Sequence, residues 1–221
     1  HFQVEKFWTN GAERQEEFWR RIERAMVQRK LEATVATEGR LISEGPACRM
    51  VVLNPQPRPE SSISAKSESL NNLSVVTELV CREQRVLFTG DIEREALTRL
   101  THSGNSAHIA LLKVPHHGAK SSLERRWLEA IRPAVGVVSA GRRNPYGHPA
   151  GEVLAAYQAV ETQVWRTDRD GAIWADLDLT RQELSMHSTR EWILQPALPS
   201  ADIWSVEQDN LRRLWRRWNW T

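Results

Sequence analysis

Two apolar runs in this chain stop abruptly at residues able to bind a cation or move a proton. Val86-Leu-Phe-Thr-Gly-Asp91 ends on a carboxylate, and Leu111-Leu-Lys-Val-Pro-His-His-Gly118 ends on two adjacent imidazoles. A strand delivers ligands to the rim of a sheet in this way. A carboxylate at Asp91 can bridge two divalent cations. Imidazoles at His116, His117 and His148 can complete the shells with the N and O donors that Zn or Mn accept. Taken singly, Asp91 has a plainer reading as the N-cap of a following helix, and His148, between Gly147 and Pro149, as a loop residue. The pair His116-His117 is harder to dismiss, because two imidazoles after a buried strand have little structural use. His102, His108 and His187 have no such context and are read as surface or core residues.

The elements that must position these residues alternate between strand and helix. Phe2 to Trp8 reads as a strand closed by Thr9-Asn10-Gly11, and Ala12 to Leu31 as a helix with Phe18, Trp19, Ile22, Ala25, Met26 and Leu31 on one stripe. Met50 to Leu53 is a strand ended by Asn54-Pro55. Residues 55–70, with Pro55, Pro57, Pro59 and a serine-rich run, read as an exposed loop. Leu73 to Val80 and Val86 to Phe88 form a hairpin turned at Arg82-Glu83-Gln84-Arg85. Ile92 to Leu100 is a helix, Ile109 to Val114 a strand, and Leu123 to Ile131 a helix capped at Ser121-Ser122 and stopped by Pro133. Val135 to Val138 is a buried strand, Glu152 to Val160 a helix, and Val164-Trp165 with Ala172 to Leu177 a hairpin turned at Asp170-Gly171. The pattern predicts a layered α/β domain with mixed sheets and flanking helices.

Composition adds bounds. At 221 residues, with 40% hydrophobic and 26% charged residues, the chain has the make-up of a globular domain. No apolar run approaches the roughly 20 residues of a membrane-spanning helix. A net charge of +2 does not announce nucleic acid globally, so any such contact must be local. Cys48 and Cys81 show no CxxC spacing and read as buried thiols. Of ten tryptophans, Trp204, Trp215, Trp218 and Trp220 crowd the C-terminal end.

The blocks Asn71-Asn72-Leu73-Ser74, Leu87-Phe88-Thr89-Gly90-Asp91-Ile92-Glu93, Lys113 through Ser122, Asn144-Pro145-Tyr146-Gly147-His148-Pro149 and Arg166 through Ile173 occur in an order and spacing that carry a resemblance. Together they resemble the C-terminal metallo-β-lactamase-like domain of the ComEC family, the DNA-uptake channel proteins of natural competence, over roughly His1 to Leu177. The resemblance implies an αββα metallo-hydrolase sandwich and a nuclease role, degrading the DNA strand that is not transported. It implies Zn or Mn, two ions in the complete domain, with Asp91 the bridging aspartate and His116 or His117, together with His148, lining the cleft. Which of the adjacent pair is ligand and which is proton donor stays open. Metal-assisted hydrolysis of a phosphodiester is the implied chemistry. The implied partners are single- or double-stranded DNA and the membrane channel of the same protein, placing the segment at the bacterial inner membrane.

The chain departs from that family where most of the metal is bound: it has no His-x-His-x-Asp-His cluster, and Asn54-Pro55 stands where related sequences can carry a histidine. The expectation is therefore a domain incomplete at its N-terminus, residues 1–180, that by itself binds metal poorly and is inactive. Residues 181–221 form an extension in which Leu211, Leu214, Trp215 and Trp218 alternate with Arg212, Arg213, Arg216 and Arg217. Such a segment suits a membrane surface or single-stranded DNA, or else packs back on the domain. Arg142, Arg143 and Lys120 are the candidate nucleic-acid contacts near the cleft. A non-catalytic DNA-guiding module and a hydrolase of small phosphodiesters are the competing functions.

Overall fold

In the computed structural model, residues 4–12, 17–57, 69–102 and 108–190 are described. In chain order they form β1 (Phe7–Thr9), α1 (Glu17–Gln28), β2 (Ala33–Val35), β3 (Leu41–Glu44), β4 (Cys48–Asn54), β5 (Val76–Cys81), β6 (Gln84–Phe88) and α2 (Arg94–His102). Then follow β7 (Leu111–Lys113), α3 (Arg125–Ile131), β8 (Val135–Val138), α4 (Gly151–Ala159), β9 (Gln163–Arg166), α5 (Thr167–Asp170), β10 (Ile173–Asp178) and β11 (Glu183–Ser188).

Strands β3 to β9 lie side by side in one seven-stranded sheet. Its first four strands pair antiparallel and β6 to β9 pair parallel. Parallel neighbours need a crossover, and α2, α3 and α4 supply the three. Those helices share one core with the sheet: Leu87, Leu112, Val114 and Val138 pack with Ile92, Leu97, Trp127, Leu128, Val153 and Tyr157. Leu112 and Val114 are wholly buried. The mixed, helix-flanked α/β expectation is borne out. Beyond the large sheet, the described residues contain two small ones, β1 with β2 and β10 with β11.

Four details differ from the sequence reading. Val164-Trp165 does not turn back on Ala172 to Leu177; β9 joins β8 in parallel, and β10 pairs with β11 instead. The cause is local: the buried Asp170 carboxylate accepts from the Arg166 N–H, closing the short α5 turn that leads the chain away. Helix α3 is capped by Glu124, whose side chain accepts from the Arg126 N–H, rather than by Ser121-Ser122. On the α1 stripe Met26 is buried, but Phe18 is 73% exposed. Finally, Cys48 and Cys81 are not thiols. The β4–β5 register sets them directly opposite one another, and they form a disulfide. Residues 58–68, which hold most of the serine-rich run, and the Trp-rich tail lie outside the described residues.

Two predictions follow from these contacts. Reducing the Cys48–Cys81 bridge, or replacing both cysteines by serine, should destabilise the fold by about 2–4 kcal/mol, read as a lower melting temperature. The Arg166 guanidinium grips Asp168 through two nitrogens at 3.0 and 2.6 Å, and that hydrogen bonding holds the Asp168 carboxyl below the usual carboxylate range. A depressed carboxyl contributes stability that is present above its unfolded value of about 3.9 and is lost as pH falls through the folded value. The melting-temperature gap between the parent chain and Asp168→Asn should therefore be full at neutral pH and close in acid.

Candidate functional site

The parallel register aligns Phe88 of β6 with Lys113 of β7, and Lys113 with Val137 of β8. The chain beyond these three strand ends therefore converges on one edge: Gly90-Asp91 after β6, Pro115 to Gly118 after β7, and Ser139 after β8. Ligand sites of open α/β sheets form at such carboxyl edges.

Asp91 is placed by buried polar residues of the preceding loop. Both Asn54 amide hydrogens are committed, to the Asn72 carbonyl at 2.9 Å and the Ser74 carbonyl at 2.8 Å, which fixes the 72–74 turn. Asn54 is thus a structural residue, 2% exposed. The Ser74 hydroxyl then accepts from the Asp91 N–H at 3.1 Å, and Asn72 Oδ1 accepts from the Glu93 N–H at 2.8 Å. Gly90 has φ +57°, and a Cβ there would lie 2.6 Å from Ser74 Cβ, so only glycine fits the approach.

The two histidines occupy left-handed backbone, φ 45° at His116 and φ 56° at His117. That conformation costs non-glycine residues on the order of 1–3 kcal/mol each and persists where the surroundings impose it. Here it splays the rings in different directions. His117 Nδ1 lies 2.6 Å from the Ser139 carbonyl oxygen, and His117 Nε2 lies 3.6 Å from Asp91 Oδ1. His116 turns its Nδ1 toward Glu93 Oε1 at 3.3 Å and toward the Ser121 hydroxyl at 3.5 Å. The Ser121 hydroxyl donates to Glu93 Oε1 at 3.1 Å. Burial works against the Glu93 anion, but hydrogen bonds from Ser121, Asn71 and Ser69 and the nearby His116 outweigh it and lower its pKa.

His148 packs its ring 6.0 Å from that of His116 and stacks with the 78% exposed Tyr146 at 5.8 Å. Its Nδ1 is buried without a hydrogen-bond partner. Burial, then the charges of His116 and His117, press its pKa below the usual histidine value. Asn144 clamps the His148 backbone, accepting from its N–H at 2.9 Å and donating to its carbonyl at 2.7 Å. Arg142 and Arg143 are exposed on the same loop, whereas Lys120 is exposed and paired with Glu152 at 2.7 Å.

Lys113 completes the site. Its ammonium donates to the Gly90 carbonyl at 2.6 Å and to Asp91 Oδ1 at 3.2 Å. Burial lowers its pKa, opposed by the attraction of Asp91. Neither Lys113 nor Glu93 stands out in the sequence as a site residue. Lys113 ends a strand with its side chain on the face opposite Leu112, and Glu93 looks like any acid in a first helical turn. The signal that identifies them is the pairing between strands, which a single sequence does not print.

Comparison with known proteins agrees with the motif blocks. The chain is 33% identical over 105 residues to ComE operon protein 3 of Bacillus subtilis, covering 48% of this chain and 14% of that protein. It is 31% identical over 104 residues to competence protein ComA of Neisseria gonorrhoeae, covering 47% and 15%. Recombination protein 2 of Haemophilus influenzae matches at 30% over 105 residues, covering 48% and 13%. The resemblance to the ComEC family holds. The chain spans about a seventh of the length of these competence proteins. No family model matches it. A solved structure named as a metal-dependent hydrolase, from Parabacteroides distasonis ATCC 8503, superposes with a TM-score of 0.41 at 11% identity, over 66% of this chain and 62% of that one.

The donors at this edge fit a divalent ion in kind but not in number. The Ser139 carbonyl can only accept, so the short contact puts a proton on His117 Nδ1. In the neutral ring, Nε2 and Asp91 Oδ1 then face each other as two acceptors, an arrangement that a shared cation or a protonated imidazole relieves. Among the described residues, no group of three His, Cys, Asp or Glu side chains is gathered that could hold an ion. Calorimetric titration of this chain with Zn or Mn should accordingly show binding weaker than micromolar, weakened further by His117→Ala and little changed by His108→Ala. A stoichiometric submicromolar site would contradict it.

Proposed function

We propose that this chain is a part of a DNA-uptake protein that acts on the phosphodiester backbone of DNA, degrading the strand that is not transported. The observation that carries the reading is the acceptor pair Asp91 Oδ1 and His117 Nε2, 3.6 Å apart at the sheet edge, with His116 beside it. A carboxylate and an imidazole sharing a cation, next to a second imidazole able to move a proton, is the equipment of phosphodiester hydrolysis. Asp91 and His117, with His148 as the further candidate, would hold a Zn or Mn ion jointly with donors outside the described residues. The ion would supply positive charge to a phosphate oxygen. Lys113 keeps Asp91 aimed and its charge balanced, and Arg142 and Arg143 offer contacts to flanking phosphates.

The described helices include none long and apolar enough to cross a membrane. Disulfides persist in oxidising compartments. The Cys48–Cys81 bridge therefore supports a position facing away from the cytoplasm, where incoming DNA first arrives.

A second reading is favoured by one observation. The Lys113 ammonium already lies on Asp91, so a DNA-guiding module that keeps the fold without the metal would look the same. Cleavage of labelled DNA by the full-length protein carrying this chain separates the two. Asp91→Ala should slow cleavage by about 100-fold or more if the site is catalytic. Equal cleavage by the variant would rule the site out, and an inactive parent that binds DNA would favour the guiding module. The Arg142→Ala, Arg143→Ala double variant should weaken single-strand binding and reduce the slope of log K against log salt by about 1.4 for the two lost contacts.

A further inference from the structure

Hydrogen-bond bookkeeping separates the two adjacent histidines. The Ser121 hydroxyl has one hydrogen, and it goes to Glu93 Oε1 at 3.1 Å. Toward His116 Nδ1, 3.5 Å away, that hydroxyl can then only accept. Glu93 Oε1, 3.3 Å from the same nitrogen, can only accept as well. Both neighbours of Nδ1 therefore demand a proton on it, and Nε2 is left with the free lone pair. Glu93 is itself fixed from several sides. Asn72 Oδ1 holds its N–H at 2.8 Å, Asn71 Nδ2 donates to Oε1 at 3.4 Å, and Ser121 donates to Oε1 as above.

We infer that Glu93 is a positioning residue that, through Ser121, holds His116 as the Nδ1–H tautomer with Nε2 as its proton-transfer atom, while His117 serves the cation-sharing pair with Asp91. The assignment rests on the phosphodiesterase reading for its purpose but not for its geometry. In that reaction an attacking water gives one proton to His116 Nε2 as its oxygen bonds to phosphorus and the ester P–O bond breaks. The same proton then passes from the imidazolium to the leaving oxygen, so the ring ends as it began. A mutation at Glu93 acts on this step by releasing the ring, since Glu93 touches no reacting atom.

Two-bond proton–nitrogen correlation spectra of the 15N-labelled 221-residue chain read the tautomer directly, at a pH above the ordinary histidine value of about 6.5. In the parent chain the proton should sit on His116 Nδ1 and on His117 Nδ1. In Glu93→Ala the Ser121 hydroxyl is freed to donate to the ring, and the His116 proton should move to Nε2 while His117 is unchanged. His117 thus reports that the fold and the edge are intact. A parent chain with the proton on His116 Nε2, or a Glu93→Ala chain whose His116 keeps the parent tautomer, would overturn the inference. The phosphodiesterase reading fails separately: the expected tautomers in a protein that does not cleave DNA would leave the positioning by Glu93 standing and remove its catalytic purpose.

Discussion

Parallel pairing of β6, β7 and β8 is the constraint on which the site depends. Because Phe88, Lys113 and Val137 lie abreast, every segment that leaves those strands does so at the same edge. Asp91, the histidine pair and the Ser139 carbonyl span 48 positions of sequence, yet the strand register brings them to one edge. The helices that make the pairing possible also bury it: Ile92, Leu97, Leu112, Val114 and Val138 form the floor under the edge. A slip of one residue in β7 would exchange Leu112 with Lys113, burying an ammonium and withdrawing it from Asp91.

On that edge two carboxylates and two backbone carbonyls crowd together. The carboxylates of Asp91 and Glu93 and the carbonyls of Gly90 and Ser139 all accept, and the donors that answer them are Lys113, Ser121, Asn71 and the two imidazoles. Clustered carboxylates and carbonyls favour cations, whether an ammonium, an imidazolium or a metal ion. Lys113 supplies one such charge from within the chain. The strained backbone at His116 and His117 divides the rings between the two carboxylates, and Gly118, at φ +77° with Pro149 Cβ 2.6 Å from where its own Cβ would lie, locks the His148 loop against them.

The parts of this site that a single sequence makes legible are those announced by a change of residue type at a strand end. Asp91, His117 and His148 stand out because an apolar run or a turn stops on them. Lys113 and Glu93 do not, since their partners come from neighbouring strands and loops rather than from adjacent positions. The same limit explains the cysteines. Their spacing suggests nothing, and only the β4–β5 register makes Cys48 and Cys81 face each other. It also explains the misplaced hairpin, where Asp170-Gly171 has the composition of a two-residue turn but the buried Asp170 is spent on the Arg166 N–H. The role of Asn54 became visible in the same way, as two hydrogen bonds to residues 18 and 20 positions away.

The central claim is that Asp91 and His117, and not His116, share a cation at the edge of the sheet. Anomalous diffraction at the metal absorption edge, from crystals of this chain soaked in excess zinc or manganese, tests it most directly. A peak within ligand distance of both Asp91 Oδ1 and His117 Nε2, with the Lys113 ammonium displaced from Asp91, is the predicted result. A peak on His116 with none beside Asp91, or Asp91 still held by Lys113 at saturating metal, would contradict it.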